Sequence, residues 1–161
     1  MPAYQISRSV VIDSPVDQVK KAVEDFAEWP KWSPWLCMEP SAEVNVFGNP
    51  GQPDHGYDWD GELVGAGSMK IASRDAETLY MDLTFHRPYK SKAKVRMTRH
   101  PRDESSTEVT WEMDGKMPFF LFFLVSMIKT TVGMDFERGL KMLKEWIETG
   151  QVVSRTSVHG V

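Results

Sequence analysis

The chain has 161 residues, of which 41% are hydrophobic and 26% are charged. These values are typical of one globular domain and exclude a disordered chain or a membrane-embedded protein. The formal charge of −4 leaves no basic excess to neutralise phosphates, so we expect no nucleic-acid partner.

Cysteine content and apolar runs bear on the cellular compartment. Cys37 is the only cysteine, which excludes an internal disulfide and a cysteine-based zinc site. The first residues lack the basic and apolar regions of a signal peptide. The most apolar run, residues 117–128, is shorter than the roughly 20 residues of a membrane-spanning helix. We therefore expect a cytoplasmic protein without a transmembrane segment.

The N-terminal part predicts one strand, one helix and an aromatic segment. Alternation of apolar and polar residues predicts a strand over 4–12. Ser14, Pro15 and Asp17 resemble a helix start with a capping box, so we predict a helix over 15–28. The segment WPKWSPW, residues 29–35, combines tryptophans with prolines, which predicts a short helical turn or loop closing one end of the core.

Residues 42–115 predict an antiparallel meander, because short alternating runs are separated by turn residues. We predict strands over 42–47, 57–64, 68–73, 78–85, 93–100 and 107–115, with a tight turn at residues 65–67. The strand over 4–12 brings the sheet to seven strands. One apolar face is predicted to point inward, and it contains Tyr57, Trp59, Leu63, Met69, Ile71, Leu79, Met81, Leu83, Phe85, Val95, Met97, Val109, Trp111 and Met113. The opposite face is charged and is predicted to face water.

One long helix is predicted over 118–149, with a kink near residues 130–133. Its apolar positions recur along one stripe, which contains Leu121, Val125, Ile128, Val132, Phe136, Leu140, Leu143 and Ile147. Residues 151–161 show no period and predict an irregular tail. Residues 1–150 are therefore predicted to form a single domain.

The apolar face of the sheet needs a cover, and the last helix is the only large apolar element left to provide it. A curved sheet and a straight helix diverge on either side of their line of contact, which leaves room for side chains or a ligand. The sequence thus predicts an α+β fold, in which a seven-stranded curved antiparallel sheet surrounds a long C-terminal helix with an internal cavity.

Several segments also resemble a known superfamily. They are IDSPVDQV (12–19), WPKWSPW (29–35), YDWDG (57–61), VGAGSM (64–69) and GLKMLK (139–144). In this order and spacing the chain resembles the START-like (SRPBCC) superfamily, in its polyketide cyclase/dehydrase and lipid-transport branch. The resemblance implies a helix-grip fold around a deep hydrophobic cavity. It does not fix a reaction, because one fold hosts many functions.

Inward-facing apolar and aromatic residues are the candidate ligand contacts, with core packing as the alternative for each of them. Arg8 lies on the inward parity of the first strand, so it either meets a ligand carboxylate or escapes to solvent at a bulge. The run Phe119, Phe120, Phe122 and Phe123 covers all sides of a helix, so part of it faces a cavity, a partner or a membrane surface. The candidate ligand-binding residues are Arg8, Trp32, Trp35, Tyr57, Trp59, Met69, Leu83, Phe85, Met97, Trp111, Met113, Phe122, Val125, Ile128 and Val132.

Residues that usually carry catalysis or bind metals are interpreted as structural or solvent-exposed. The histidines His55, His86, His100 and His159 show no metal-ligand spacing and are predicted to be on the surface. Cys37 is predicted to be a small buried side chain, because no histidine is near it in sequence. We expect no metal and no cofactor, and the catalytic residues are unknown.

Three hypotheses of function remain open. The first is binding or transport of a hydrophobic small molecule, such as a lipid, isoprenoid or polyketide, in the cavity. The second is a cyclase or dehydratase, which requires Arg8, Tyr57 or Tyr80 to point into that cavity. The third is an interaction module that uses the apolar start of the last helix on a protein or membrane surface. The sequence leaves a homodimer open.

Overall fold

The computed structural model describes residues 3–116 and 119–152, without the side chain of Phe119. Met117, Pro118, His159 and the predicted tail beyond residue 152 lie outside the described residues. The seven predicted strands are confirmed, and all adjacent pairs are antiparallel in the order β1-β7-β6-β5-β4-β3-β2. They are β1 (Ala3–Ile12), β2 (Glu43–Phe47), β3 (Gly56–Gly61), β4 (Gly65–Arg74), β5 (Thr78–Arg87), β6 (Ser91–Asp103) and β7 (Ser106–Lys116).

The β3–β4 connection differs from the prediction. Strand β3 ends at Gly61, and Leu63, predicted to point inward, lies in the turn with 73% of its surface exposed. The predicted turn at residues 65–67 instead begins β4. Gly67 is needed there for close packing, since a Cβ atom would lie 2.5 Å from Cη2 of Trp59. The glycines therefore signal a crowded strand rather than a turn.

Three short helices follow β1: α1 (Val16–Glu24), α2 (Trp29–Trp32) and α3 (Pro34–Met38). Helix α1 is shorter than predicted, and the capping-box prediction was wrong. Its N-cap position is Pro15, with no side-chain cap, while the Ser14 hydroxyl donates to Oε1 of Gln18. The tryptophan segment forms α2 and the start of α3, consistent with the predicted short helical turn.

The C-terminal helix α4 (Val125–Thr149) packs against β1 and β7. A 3-10 turn, Phe119–Leu124, precedes it, so the predicted helix over 118–149 is divided at Leu124, and α4 is continuous through residues 130–133. Helix α4 packs closely against its neighbours at Gly139, where a Cβ atom would lie 2.9 Å from Cζ3 of Trp111 and 2.8 Å from Cδ of Pro34. A curved sheet around one long helix confirms the helix-grip architecture.

Two polar side chains lie unexpectedly in the interior. His55, predicted to be on the surface, is 1% exposed. Its Nε2 accepts from the Phe26 N–H at 2.9 Å, so Nδ1 carries the proton and donates to the Phe47 carbonyl at 2.9 Å. Arg99 is also 1% exposed; its Nε donates to the Glu77 carbonyl, and its Nη1 lies 3.6 Å from Glu24. Both residues tie loops and α1 to the sheet. His86 and His100 are exposed, as predicted.

Candidate functional site: an aromatic cavity between sheet and helix

A cavity of about 230 Å³ lies between the inner face of the sheet and helices α3 and α4. Alternation along the strands sends every second side chain of β3 to β7 to this face. The period of α4 places Val132 and Phe136 opposite them, one turn apart. The lining consists of Trp35, Leu36, Tyr57, Trp59, Val64, Met69, Leu83, Phe85, Val95, Trp111, Met113, Val132 and Phe136.

Aromatic rings form much of the wall and hold one another in place. The Trp111 ring stacks on Phe136, with centroids 4.2 Å apart and an interplanar angle of 5°. Trp35 meets both rings edge-on, at 5.6 Å and 6.0 Å. Such pairs add to the free energy gained from burial. The wall is therefore a preformed set of flat surfaces.

The polar groups of the cavity are few, and two of the four aromatic donors are paired. Nε1 of Trp59 donates to the Val64 carbonyl at 3.0 Å, and Nε1 of Trp35 donates to Asp135 Oδ2 at 3.2 Å. Among the described residues, nothing accepts a hydrogen bond from the indole N–H of Trp111 or from the Tyr57 hydroxyl. Burial raises the pKa of Tyr57, so this hydroxyl stays protonated and can donate.

Exposure indicates where the cavity opens. Most lining residues are buried, whereas the half-exposed ones are Trp35, Val64, Leu83, Phe85 and Val132. They come from the β3–β4 turn, β5, α3 and the first turns of α4. A ligand would therefore enter between these elements.

Several predicted site residues lie outside the lining. Trp32 and Met97 are fully buried core residues, and the Trp32 indole donates to the Ala22 carbonyl. Phe122 is 60% exposed on the 3-10 turn. Val125 and Ile128 are half-buried on the first turn of α4, before the helix reaches the cavity.

Arg8 also lies away from the cavity. Its Nε donates to Oε1 of Glu137 at 2.9 Å, at a half-exposed position between β1 and α4. Strand β1 pairs without a bulge, so its backbone does not turn Arg8 away from the cavity. The side chain lies beside α4 because Glu137 of that helix is its partner. Arg8 therefore has a carboxylate of the protein as its partner.

The lining includes four residues that were absent from the predicted ligand contacts. Val95 lies on the predicted inward face of its strand and Phe136 on the predicted stripe of the last helix, so parity and period were enough to find them. Leu36 lies in α3, which is too short to show a period, and Val64 was on the outward parity of the predicted strand over 57–64 but lies in the β3–β4 turn. Their positions depend on the tertiary structure.

The arrangement supports binding more readily than acid–base chemistry. Within the described lining there is no carboxylate, histidine or cysteine. Cys37 is buried outside it, and its thiol donates to the Pro30 carbonyl. In the described ranges no group of three or more His, Cys, Asp or Glu side chains could hold a metal ion.

Comparison with known proteins agrees with this geometry. The family profile described as polyketide cyclase / dehydrase and lipid transport matches residues 3–148. The chain belongs to this family. A search of curated protein sequences gives no match. Over the described residues, no helix is long and apolar enough to cross a membrane.

Solved structures that resemble this family member share its fold. A protein from Thermobifida fusca is 19% identical with a TM-score of 0.68, covering 89% of this chain and 92% of its own. The Zhui aromatase/cyclase from Streptomyces sp. R1128 is 12% identical with a TM-score of 0.64, covering 94% and 100%. A START superfamily protein from Mycobacterium smegmatis is 20% identical with a TM-score of 0.64, covering 92% and 99%. These matches establish the fold.

Proposed function

We propose that this protein binds a small, flat, largely apolar molecule that carries a hydrogen-bond acceptor. The observation that carries the proposal is the Tyr57 hydroxyl, which lines an aromatic wall and has no hydrogen-bond partner among the described residues. An unpaired buried donor costs roughly 1–3 kcal/mol. A carbonyl or ether oxygen of a ligand would remove that cost.

The volume of the cavity limits the size of the ligand. An engineered apolar cavity of about 150 Å³ holds benzene, and sites for drug-sized ligands span about 300–1,000 Å³. At about 230 Å³ the cavity suits a ligand of one or two rings. A complete phospholipid or a four-ring polyketide exceeds this space. A lipid or isoprenoid ligand would have to be short, or would insert only one end.

The test compares two probes of similar shape, 2-acetonaphthone and 2-ethylnaphthalene, by titration calorimetry. The ketone offers the acceptor that the hydrocarbon lacks, so it should bind on the order of fivefold more tightly, as expected for one hydrogen bond. Equal affinities would remove the assigned role of the Tyr57 hydroxyl. Binding of neither probe would contradict the proposal as a whole.

A matched pair of variants locates the binding. Val132→Trp places a large ring at the cavity mouth and should abolish probe binding. Met134→Trp adds a large ring two residues away, at a position that is already 64% exposed, and should leave binding unchanged. Equal probe affinities of the two variants would indicate that the probe binds outside the cavity.

A cyclase or dehydratase is the second candidate, and Tyr57 is the residue that favours it. Of the three side chains required by that hypothesis, Arg8 is paired with Glu137, and the Tyr80 hydroxyl donates to Asp75 at the surface. Tyr57 alone lines the cavity. A linear poly-β-ketone thioester that aromatises faster with wild type than with Tyr57→Phe would support catalysis. Equal rates would leave binding as the function.

A further inference from the structure

Four of the most exposed apolar side chains of the described residues lie on segments near the cavity mouth. Leu63 is 73% exposed, Tyr89 is 68% exposed, and Phe120 and Phe123 are 72% and 64% exposed. They come from three separate segments: the β3–β4 turn, the β5–β6 loop and the 3-10 turn before α4. Large exposed apolar side chains concentrated in one region mark an interaction site. These four side chains are called the apolar tip below.

Sheet topology places the three segments together. Ala66 pairs with Arg87, Ala93 with Gly115, and Ala3 with Lys116, so the β3–β4 turn, the β5–β6 loop and the end of β7 share one end of the sheet. Neighbouring strands are about 4.8 Å apart, so β4 and β7 are separated by roughly 15 Å there. Phe120 follows Lys116 by four residues and lies within about 14 Å of it.

Contacts among the ends of β3, β4 and β5, which flank the β3–β4 turn and the β5–β6 loop, hold part of the apolar tip in place. Nη2 of Arg87 donates to Asp60 at 2.5 Å and to the Gly61 carbonyl at 3.2 Å. The backbone at Gly65 lies so close to the Arg87 carbonyl that a Cβ atom would come within 2.4 Å of it. Leu63 and Tyr89 are therefore carried on connected segments.

Three lysines adjoin the apolar tip. Lys90, Lys92 and Lys116 line one surface groove, are exposed, and form no salt bridge within the described residues. The two acidic residues of that groove, Asp82 and Asp114, are already paired with Lys94 and Arg96. The formal charge of the whole chain is −4, so the part of this end formed by the β5–β6 loop and the end of β7 departs locally from the overall sign. On the neighbouring β3–β4 turn, Glu62 lies exposed beside Leu63.

We propose that this end of the molecule docks on an anionic lipid bilayer. The apolar tip would enter the interfacial region, and the lysines would meet lipid phosphates, each adding about 1 kcal/mol near such a surface. A second copy of the chain fits less well, because a two-fold contact would bring the same lysines of both copies together. Charge complementarity thus selects the membrane as the partner.

Docking in this orientation turns the cavity mouth towards the lipid. Val64 adjoins Leu63, Phe85 precedes the β5–β6 loop, and Val132 lies on the helix that follows the 3-10 turn. An apolar ligand would then pass between bilayer and cavity without crossing water. The docking itself does not depend on the proposed ligand binding, and the two are tested separately.

Flotation tests the docking with vesicles of phosphatidylcholine alone or with 30% phosphatidylglycerol. Wild type should float with the anionic vesicles at low salt and much less with the neutral ones. Phe120→Ser with Phe123→Ser should reduce flotation at least fivefold, whereas Leu at both positions should retain it. Because both side chains are largely exposed, the folded state should tolerate these changes.

Charge variants separate the role of the lysines from that of the total charge. Lys90→Gln, Lys92→Gln and Lys116→Gln together should weaken flotation, while Lys20→Gln, Lys21→Gln and Lys141→Gln, which change net charge equally, should not. Equal effects of the two triple variants, or equal flotation with neutral vesicles, would overturn the proposal. So would wild type that does not float, or self-association abolished by the Phe variants in sedimentation experiments. In every variant, binding of 2-acetonaphthone in solution reports on the cavity independently.

Discussion

The Tyr57 hydroxyl lies in the cavity wall and has no hydrogen-bond partner among the described residues. Tyr57→Phe removes this group and leaves the ring, so the free energy of unfolding should stay constant or rise by up to about 1 kcal/mol. The advantage of 2-acetonaphthone over 2-ethylnaphthalene should shrink in the same variant. Urea denaturation and calorimetry measure the two effects. A loss of stability above about 1 kcal/mol would show that the hydroxyl has a partner in the folded protein.

His55 illustrates the opposite case, a buried polar side chain whose two nitrogens are both used. His55→Ala leaves the Phe26 N–H and the Phe47 carbonyl without partners, and it removes a ring stacked 4.9 Å from Phe26. The expected loss of stability is about 2–4 kcal/mol. His86→Ala, at an exposed position, is the matched control and should change stability by less than about 0.5 kcal/mol. Chemical denaturation of both variants would decide whether His55 has this structural role.

Asp135 gives a prediction of pH dependence. Burial raises the pKa of its carboxyl above 3.8, and the nearby Arg138 and the Trp35 N–H oppose this shift only in part. The folded state therefore holds this proton to higher pH than the unfolded state, so stability contributed by protonated Asp135 is lost as pH rises through the raised pKa. Asp135→Asn should remove this fall and should be stabilising relative to wild type at neutral pH. Thermal melts from pH 3 to pH 7 would test it, and a difference independent of pH would contradict it.

Strand parity was the strongest signal for individual cavity residues. It placed Tyr57, Trp59 and Trp111 on one face, and the structure brings these three to the cavity. Arg99 shares the inward parity of Val95 and Met97, but parity does not show the partners that allow its burial, which are the Glu77 carbonyl and Glu24. His55 precedes the predicted strand, where parity assigns no face, and its burial depends on the distant Phe47 carbonyl. It also fails for Arg8, because the sequence does not show that Glu137 is near it.

At the scale of elements, two glycines of α4 make a matched pair. Both lie in one helix, where alanine is intrinsically better by about 1 kcal/mol. At Gly139 a Cβ atom would press on Trp111 and Pro34, whereas at Gly133 it meets the flexible end of Arg8. Gly139→Ala should destabilise by about 1–3 kcal/mol despite the better propensity. Gly133→Ala should stay within about 1 kcal/mol of wild type, because Arg8 can move.

The comparison of the two glycine variants isolates packing from helix propensity. Urea unfolding at one pH measures both, and helical content by circular dichroism serves as the check on secondary structure. Equal stabilities would show that α4 adjusts its distance from the sheet. Such an outcome would also predict a cavity that changes volume with its ligand.

Element boundaries were harder to predict than element types. The seven strands and the last helix follow from period, but Leu124 ends a 3-10 turn without a proline or glycine to mark it. The β3–β4 turn was predicted at the wrong position, because Gly67, which makes room for Trp59, resembles a turn residue in the sequence. In both places the outcome depends on packing against residues far away in the chain.

At the scale of the whole molecule, ligand and stability are coupled. A molecule that binds only the folded state stabilises it by about 2.7 kcal/mol at a hundredfold excess over its dissociation constant. The melting temperature should therefore rise with 2-acetonaphthone concentration in wild type and in Met134→Trp. It should not rise in Val132→Trp. Scanning fluorimetry measures these melting temperatures. A rise in the melting temperature of all three proteins would place the probe outside the cavity.

The fold could be predicted as a whole because its apolar patterns leave one solution. Seven strands with one apolar face need a cover, and the sequence offers a single long apolar helix for it. The cavity volume could not be predicted, since it depends on how closely Gly139 lets the helix approach the sheet. Family membership, shown by the match over residues 3–148, agrees with the resemblance seen in the motifs.

The pairing of β1 with β7 has a consequence for biosynthesis. Ala3 lies opposite Lys116 and Ile12 opposite Thr107, so the first strand of this sheet must wait for the seventh strand to leave the ribosome. Strands β2 to β6 can pair with neighbours in sequence as they emerge, but β1 cannot, and contacts of such long separation form slowly. The cavity needs α4 as well, so it closes only after residues up to Thr149 have emerged. Until then the apolar inner face of the sheet stays exposed to water and to chaperones.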